Sequence, residues 1–145
     1  MPKERFKLIP AVHLFLIKSN KILLLRRFNT GYEDGNYSVP AGHLDGDESV
    51  ITAVVRETKE ETGITIDPKN IRVVHVMHRI KFDGERIDFF LTANSWSGEP
   101  SIQEPNKCDE LKWFPLSNLP MNVIPYVHSA LENFQAGVAY SEFGW

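Results

Sequence analysis

The sequence predicts an α/β fold in which a mixed β-sheet lies between helices in an α/β/α layering. Three observations carry this expectation. Runs rich in Ile, Leu and Val recur through both halves of the chain, and only two stretches, one starting near residue 49 and one over 123–135, carry helical periodicity. Gly and Pro are scattered at turn positions with no linker, repeat or low-complexity tract, so 145 residues read as a single domain, 1–145, with enough apolar content for a core.

Residues 8–18 and 21–27 read as two strands, and Ser19-Asn20 between them as a tight hairpin turn. Residues 28–36, with the composition FNTGYEDGN, form a loop that leads into a short strand over 37–40. A turn-rich segment, Gly42 to Glu48, then delivers the chain to a helix. Ser49 or Asp47 caps it, Val50, Ile51, Val54 and Val55 give it an apolar stripe, and Gly63 ends it where a left-handed residue is wanted. Residues 71–82 and 85–96 flank Asp83-Gly84 as a long hairpin. One face of its first strand is mixed polar; His75 and His78 there are either substrate contacts or ordinary hydrogen-bonded strand histidines. Residues 97–109 are a loop, 111–114 a last short strand, and 123–135 a second amphipathic helix through Ile124, Val127, Leu131 and Phe134. The tail from Gly137 to Trp145 carries Tyr140, Phe143 and Trp145; it either frays or docks, on its own domain or on a neighbour, which leaves a homodimer open.

Composition excludes several classes. A net charge of −3 argues against a binder of nucleic-acid polymers, which would show a basic face. No run reaches membrane-spanning length and no apolar segment precedes a cleavage site, so the expected setting is the cytoplasm, with no membrane partner. Cys108 is the only cysteine, which rules out an internal disulfide and a thiolate metal cluster.

The chemistry sits on the first helix. At roughly 100° per residue, Glu57, Glu60 and Glu61 fall within an arc of about 100° beside the apolar stripe. Like charges at this spacing repel, and partial burial pushes their pKa values up. A hard divalent cation removes the penalty, and oxygen-only ligands suit Mg²⁺ or Mn²⁺ better than Zn²⁺. Taken alone, RETKEE also reads as a solvated acidic face with Arg56 and Lys59 as intrahelical partners.

The whole stretch has a more specific spacing: Gly42, five residues, Glu48, seven residues, Arg56-Glu57, two residues, Glu60-Glu61, one residue, Gly63, then Ile64. This pattern resembles the box of the Nudix hydrolases. Thr58 stands where the family has an aliphatic residue, a change that touches packing; its methyl turns inward and its hydroxyl returns to the preceding turn. The likeness extends to Arg26-Arg27, the Pro-Ala-Gly entry at 40–42 and the WFPL segment at 113–116, so it covers most of residues 8–135. It implies the Nudix-type sandwich.

It also implies roles. Glu57 and Glu61 match the principal metal-binding carboxylates, Glu60 a third or outer ligand, and the Ala41 carbonyl a further metal contact. Arg56 matches the arginine that orients a box glutamate, Glu48 the supporting glutamate, and Gly42 and Gly63 the structural glycines. Glu104 resembles the additional glutamate brought in from outside the box as ligand or base, with Glu110 as a rival. Arg27 lies where mutator-type members place a phosphate-contacting arginine, and Asn122 lies one position from a base-recognising asparagine. Tyr32, Tyr37 and Phe28 are candidates for stacking on a base.

The activity implied is Mg²⁺-dependent cleavage of a diphosphate linkage in a small nucleoside diphosphate-X compound. A nucleoside triphosphate, oxidised forms included, is the favoured substrate, giving NMP and pyrophosphate. ADP-ribose, nucleotide-sugar or dinucleoside polyphosphate hydrolysis, or nucleotide sensing without cleavage, are the alternatives.

Overall fold

The computed structural model describes residues 3–145, so the first two residues of the expected 1–145 unit lie outside the described ones. Its strands are β1 (Ile9–Phe15), β2 (Ile17–Lys18), β3 (Lys21–Arg27), β4 (Tyr37–Ser38), β5 (Ala41–His43), β6 (Ile71–Lys81), β7 (Gly84–Ala93), β8 (Cys108–Pro115) and β9 (Tyr140–Phe143). Its helices are α1 (Val50–Thr62) and α2 (Pro125–Gln135), with a 3₁₀ turn at Pro68–Asn70. No helix among the described residues is long and apolar enough to cross a membrane.

A five-stranded sheet has the order β5-β1-β7-β6-β9. It is mixed, because β1/β7 and β6/β9 run parallel whereas β1/β5 and β6/β7 are antiparallel. The expected mixed sheet has a companion: β2, β4 and β8 all pair antiparallel with β3. The segment expected to be one strand over 8–18 changes sheets at Leu16, whose carbonyl accepts from the Leu23 amide at 3.0 Å. Leu16 is as fully buried as Phe15, and Ile17 after it is apolar, so no polar break marks the switch.

Two apolar clusters lie on opposite faces. Val12, Leu14 and Leu16 point with Leu23 and Leu91 toward Ala53 and Val54 of α1. Phe15, Ile22, Leu24, Met77 and Phe90 point toward Val127, Ala130 and Leu131 of α2. This alternation of β1 and β3 is what a sheet sandwiched between helices requires.

Helix α1 is capped as expected. Ser49 Oγ accepts from the Thr52 amide at 3.1 Å, and Gly63, at φ 78°, donates its amide to Lys59 O. Thr58 departs from expectation: its buried hydroxyl has no hydrogen-bond partner among the described residues, and Thr62 makes the bond to the preceding turn, to Thr58 O at 2.7 Å.

Other boundaries move for identifiable reasons. Residues 41–43, expected as part of a turn-rich entry, form β5 because the backbone of β1 takes them as partners, with Val12 opposite Gly42. The long hairpin turns one residue early, through Phe82-Asp83, with Lys81 paired to Gly84; Asp83 is tied to Arg86 by bonds of 3.1 and 3.2 Å. Strand β8 begins at Cys108 rather than 111, and α2 at Pro125 rather than 123, since proline fits the first turn of a helix.

The tail docks on its own chain. Strand β9 lies parallel to β6, and Trp145 Nε1 donates to His78 O at 3.0 Å. His75 bridges Val138 O and Ser141 Oγ, both at 2.7 Å, and His78 pairs with Glu85 at 2.8 Å. Both histidines therefore hold the sheet edge, and neither lines a cavity.

Candidate active site

Four segments of the chain converge on the site. Helix periodicity brings Glu57, Glu60 and Glu61 to one rim of α1, facing a cavity of about 310 Å³. The end of β3 adds Arg27, the start of β5 adds Ala41, and the loop before β8 adds Glu104 to the same cavity. Cys108 also lines it; burial pushes its thiol up and Sγ donates to Glu110 O.

Glu61 accepts from the Ala41 amide at 3.0 Å through one oxygen; the other has no protein donor among the described residues. Burial raises its pKa well above the usual carboxylate value, and the charges of Glu57 and Glu104 add to the rise. Burial likewise raises Glu57, while Arg56, bonded at 2.9 Å, opposes it.

Arg56 ties the acidic rim together. Its guanidinium takes both oxygens of Glu48 (2.8 and 3.1 Å), reaches Glu57 at 2.9 Å and Glu60 at 3.4 Å, and pairs with Asp45 at 3.2 Å. Glu48 also accepts the Asp45 amide, and these bonds hold its carboxyl below the usual range. Arginine suits this post because its fork of donors serves several carboxylates at once.

Gly42 makes the close approach possible. A Cβ there would overlap the Glu57 carboxyl group. Gly42→Ala is therefore expected to displace Glu57 and lower kcat by roughly 100-fold, the scale of an ångström-size misplacement, with only a small change in melting temperature. Steady-state kinetics alongside a thermal melt check this.

The donor set suits a hard divalent cation. It is all oxygen, two of its carboxylates are desolvated and repel each other, and one Glu61 oxygen has no protein donor. Among the described residues no group of three His, Cys, Asp or Glu side chains already stands close enough together to hold a metal ion.

Not every expected site residue joins. Asn122 lines neither cavity; its amide donates to Gly35 O at 2.8 Å and so fastens the loop over 28–36. Glu110 pairs with Arg26 and Lys112 instead of entering the cavity. Tyr37 belongs to the α2-side cluster and Phe28 is exposed, whereas Tyr32 lines a second cavity.

That second cavity, of about 500 Å³, was absent from the sequence expectations. It shares Arg27 and Ala41 with the first and adds Arg79, Lys81, Arg86 and Tyr126. A buried polar group forms its floor. Arg79 binds Asp88 by two bonds of 2.7 and 3.2 Å and lies over the Tyr126 ring at 3.7 Å. His13 meets the Tyr126 hydroxyl at 3.0 Å and is pushed down to about 4 by burial, which leaves it neutral near pH 7. The available signal was the i, i+2 spacing of Arg79 and Lys81 on one strand face.

Known proteins share sequence and fold with most of this chain. Residues 7–134 match the NUDIX domain family. A protein named ADP-ribose pyrophosphatase from Methanocaldococcus jannaschii is 34% identical over 122 residues, 83% of this chain and 70% of that protein. A putative 8-oxo-dGTP diphosphatase from Bacillus subtilis is 30% identical over 129 residues, 88% of this chain and 79% of that one. The NAD-capped RNA hydrolase NudC of Stutzerimonas stutzeri is 26% identical over 117 residues; the match takes in 79% of this chain but only 39% of that protein's length. Among solved structures, a MutT NUDIX hydrolase from Burkholderia pseudomallei superposes with a TM-score of 0.80 at 29% identity, covering 88% of this chain and 98% of that one.

Proposed function

Because the chain belongs to the NUDIX family and is thereby a hydrolase of nucleotide-linked anhydrides, we propose that it cleaves the diphosphate of a nucleoside diphosphate-X compound. A nucleoside triphosphate, oxidised forms included, is the first choice, with NMP and pyrophosphate as products. The observation that carries this reading is the convergence of Glu57, Glu60, Glu61, Glu104 and Arg27 on one cavity.

In this reading Glu57 and Glu61, with the Ala41 carbonyl and with Glu60 as a further ligand, hold a divalent cation, Mg²⁺ or Mn²⁺. When bound, such an ion neutralises charge on the diphosphate and makes water more acidic. Arg56 keeps Glu57 aimed into the cavity, and Glu48 keeps Arg56 in place. Arg27 holds a phosphate oxygen of the substrate. A water oxygen attacks phosphorus, the P–O bond to the leaving phosphate breaks with its electron pair, and a glutamate takes the water proton. Glu57, Glu60 and Glu104 all stand on the cavity and are the groups available for that task. The substrate is read as a small molecule free in the cytoplasm, and the chain as one functional unit.

The name of the Methanocaldococcus relative favours ADP-ribose as a second substrate. Release of nucleoside monophosphate, separated by anion-exchange chromatography, is to be measured across NTPs, oxidised NTPs, ADP-ribose, nucleotide sugars and dinucleoside polyphosphates, with Mg²⁺ or Mn²⁺ and with EDTA. The expected result is release from NTPs, abolished by EDTA. Release from ADP-ribose alone would replace the first reading with the second. Silence across the panel, with nucleotide still raising the melting temperature, would make the protein a sensor.

A further inference from the structure

The cavity beneath the β6–β7 hairpin carries more positive charge than its own carboxylates balance. Arg79 is matched by Asp88 and Arg86 by Asp83. Arg27 and Lys81 form no ion pair with any carboxylate among the described residues. Both lean on one aromatic ring, with Lys81 Nζ 4.3 Å and Arg27 Cζ 5.3 Å from the centre of Tyr32. The loop over 28–36 is shaped around them: Arg27 donates to Tyr32 O at 2.7 Å and to Thr30 Oγ1 at 3.0 Å. Arg79 uses Nε and Nη2 on Asp88, and Nη1 has no hydrogen bond among the described residues although the residue lines the cavity.

We infer that this cavity is an anion subsite, built by Arg27, Lys81 and Arg79, that receives a phosphate of the substrate beyond the linkage being cut. The inference rests on the hydrolase reading for its place in a substrate, and on the cation arrangement for its chemistry. Two half-buried cations on one ring repel each other, and burial together with Arg86 and Arg79 lowers the Lys81 pKa; a bound anion relieves both costs. A neutral base or sugar relieves neither. The shared wall at Arg27 and Ala41 lets one ligand run from the carboxylates to the hairpin. The terminal phosphates of a nucleoside triphosphate or longer polyphosphate meet this description. A substrate that ends in an uncharged sugar does not.

The test separates binding from turnover. Inorganic tripolyphosphate is titrated calorimetrically into the metal-free protein in EDTA, where no hydrolysis occurs. The wild type is expected to bind it, Lys81→Met about tenfold more weakly, Lys81→Arg nearly as well as wild type, and Glu57→Gln no more weakly, since that change removes a repelling acid. Absence of wild-type binding, or equal binding by Lys81→Met with its melting temperature intact, would overturn the subsite. With metal present, KM is expected to fall from ADP to ATP to adenosine tetraphosphate, and Lys81→Met to flatten that series. A parallel rise in all three KM values would mean that the cavity holds the nucleoside, which also overturns the inference. If no nucleotide is turned over, the hydrolase reading fails while the tripolyphosphate titration still decides the subsite.

Discussion

Glu61→Gln is expected to lower kcat on the order of 10³-fold, the scale on which loss of one well-placed electrostatic group in a reaction site is felt, without harming the fold. Glutamine keeps the shape and the oxygen that accepts the Ala41 amide, and removes only the charge. In the metal-free protein that charge is a burden, because burial and Glu57 raise its pKa in the folded state above the ordinary 4.5. A carboxyl raised in this way stabilises the fold fully below pH 4.5 and loses that contribution as pH climbs through the raised value. Thermal melts of the metal-free wild type should thus fall relative to Glu61→Gln as pH rises above 4.5, and added Mg²⁺ should erase the gap. A variant that retains its rate, or a gap that opens with falling pH, would remove Glu61 from the metal site.

Asp88→Ala should have the largest effect on stability, about 3–5 kcal/mol or on the order of 10 °C in melting temperature for a chain of this size. Asp88 is fully buried and Arg79 nearly so, and the two bonds between them are the only ones Arg79 makes to a carboxylate among the described residues. Removal of the acid strands a guanidinium in the interior above Tyr126, whose ring attracts it but accepts no hydrogen bond in the plane of the fork. The double replacement Arg79→Met with Asp88→Leu should recover most of the loss, because apolar side chains of similar volume tolerate the site better than one unpaired charge. Urea melts of Arg79→Met, Asp88→Leu and the double variant give the coupling directly. A loss under 1 kcal/mol for Asp88→Ala would show the pair to be solvated in practice.

The carboxylate half of the site was legible because every determinant of it is local. Capping by Ser49, the left-handed Gly63 and the spacing of Glu57, Glu60 and Glu61 all lie within one helix. Strand β3 and its Ser19-Asn20 turn were equally plain, since two turn-favouring residues join runs rich in Ile, Leu and Val, and both residues take positive φ in the structure. The cation half depends on register. Arg79 faces Arg86 across the hairpin, and that opposition follows from a turn at Phe82-Asp83, which the strand pattern does not reveal. Asp88 illustrates the same limit: as one acid in an alternating strand it reads as solvent-facing, and only tertiary packing beside His13, Arg79 and Tyr126 buries it. Asn122 misled for a related reason. Its place in the chain suggested recognition of a base, but the loop that ends at Gly35 comes close enough to engage its amide.

The two apolar clusters on opposite faces of the sheets bear on how such a protein changes over generations. The acidic helix is anchored in one cluster, and the cationic hairpin and Tyr126 rest on the other. On the proposed reading, substitutions that remodel the second cluster would shift which compounds are accepted while the first keeps its glutamates in place, since changes in separate clusters combine nearly additively. On that reading bond cleavage and choice of substrate are separately heritable, and a laboratory library confined to the residues of β6, β7 and α2 that belong to the second cluster should alter preference while sparing the reaction.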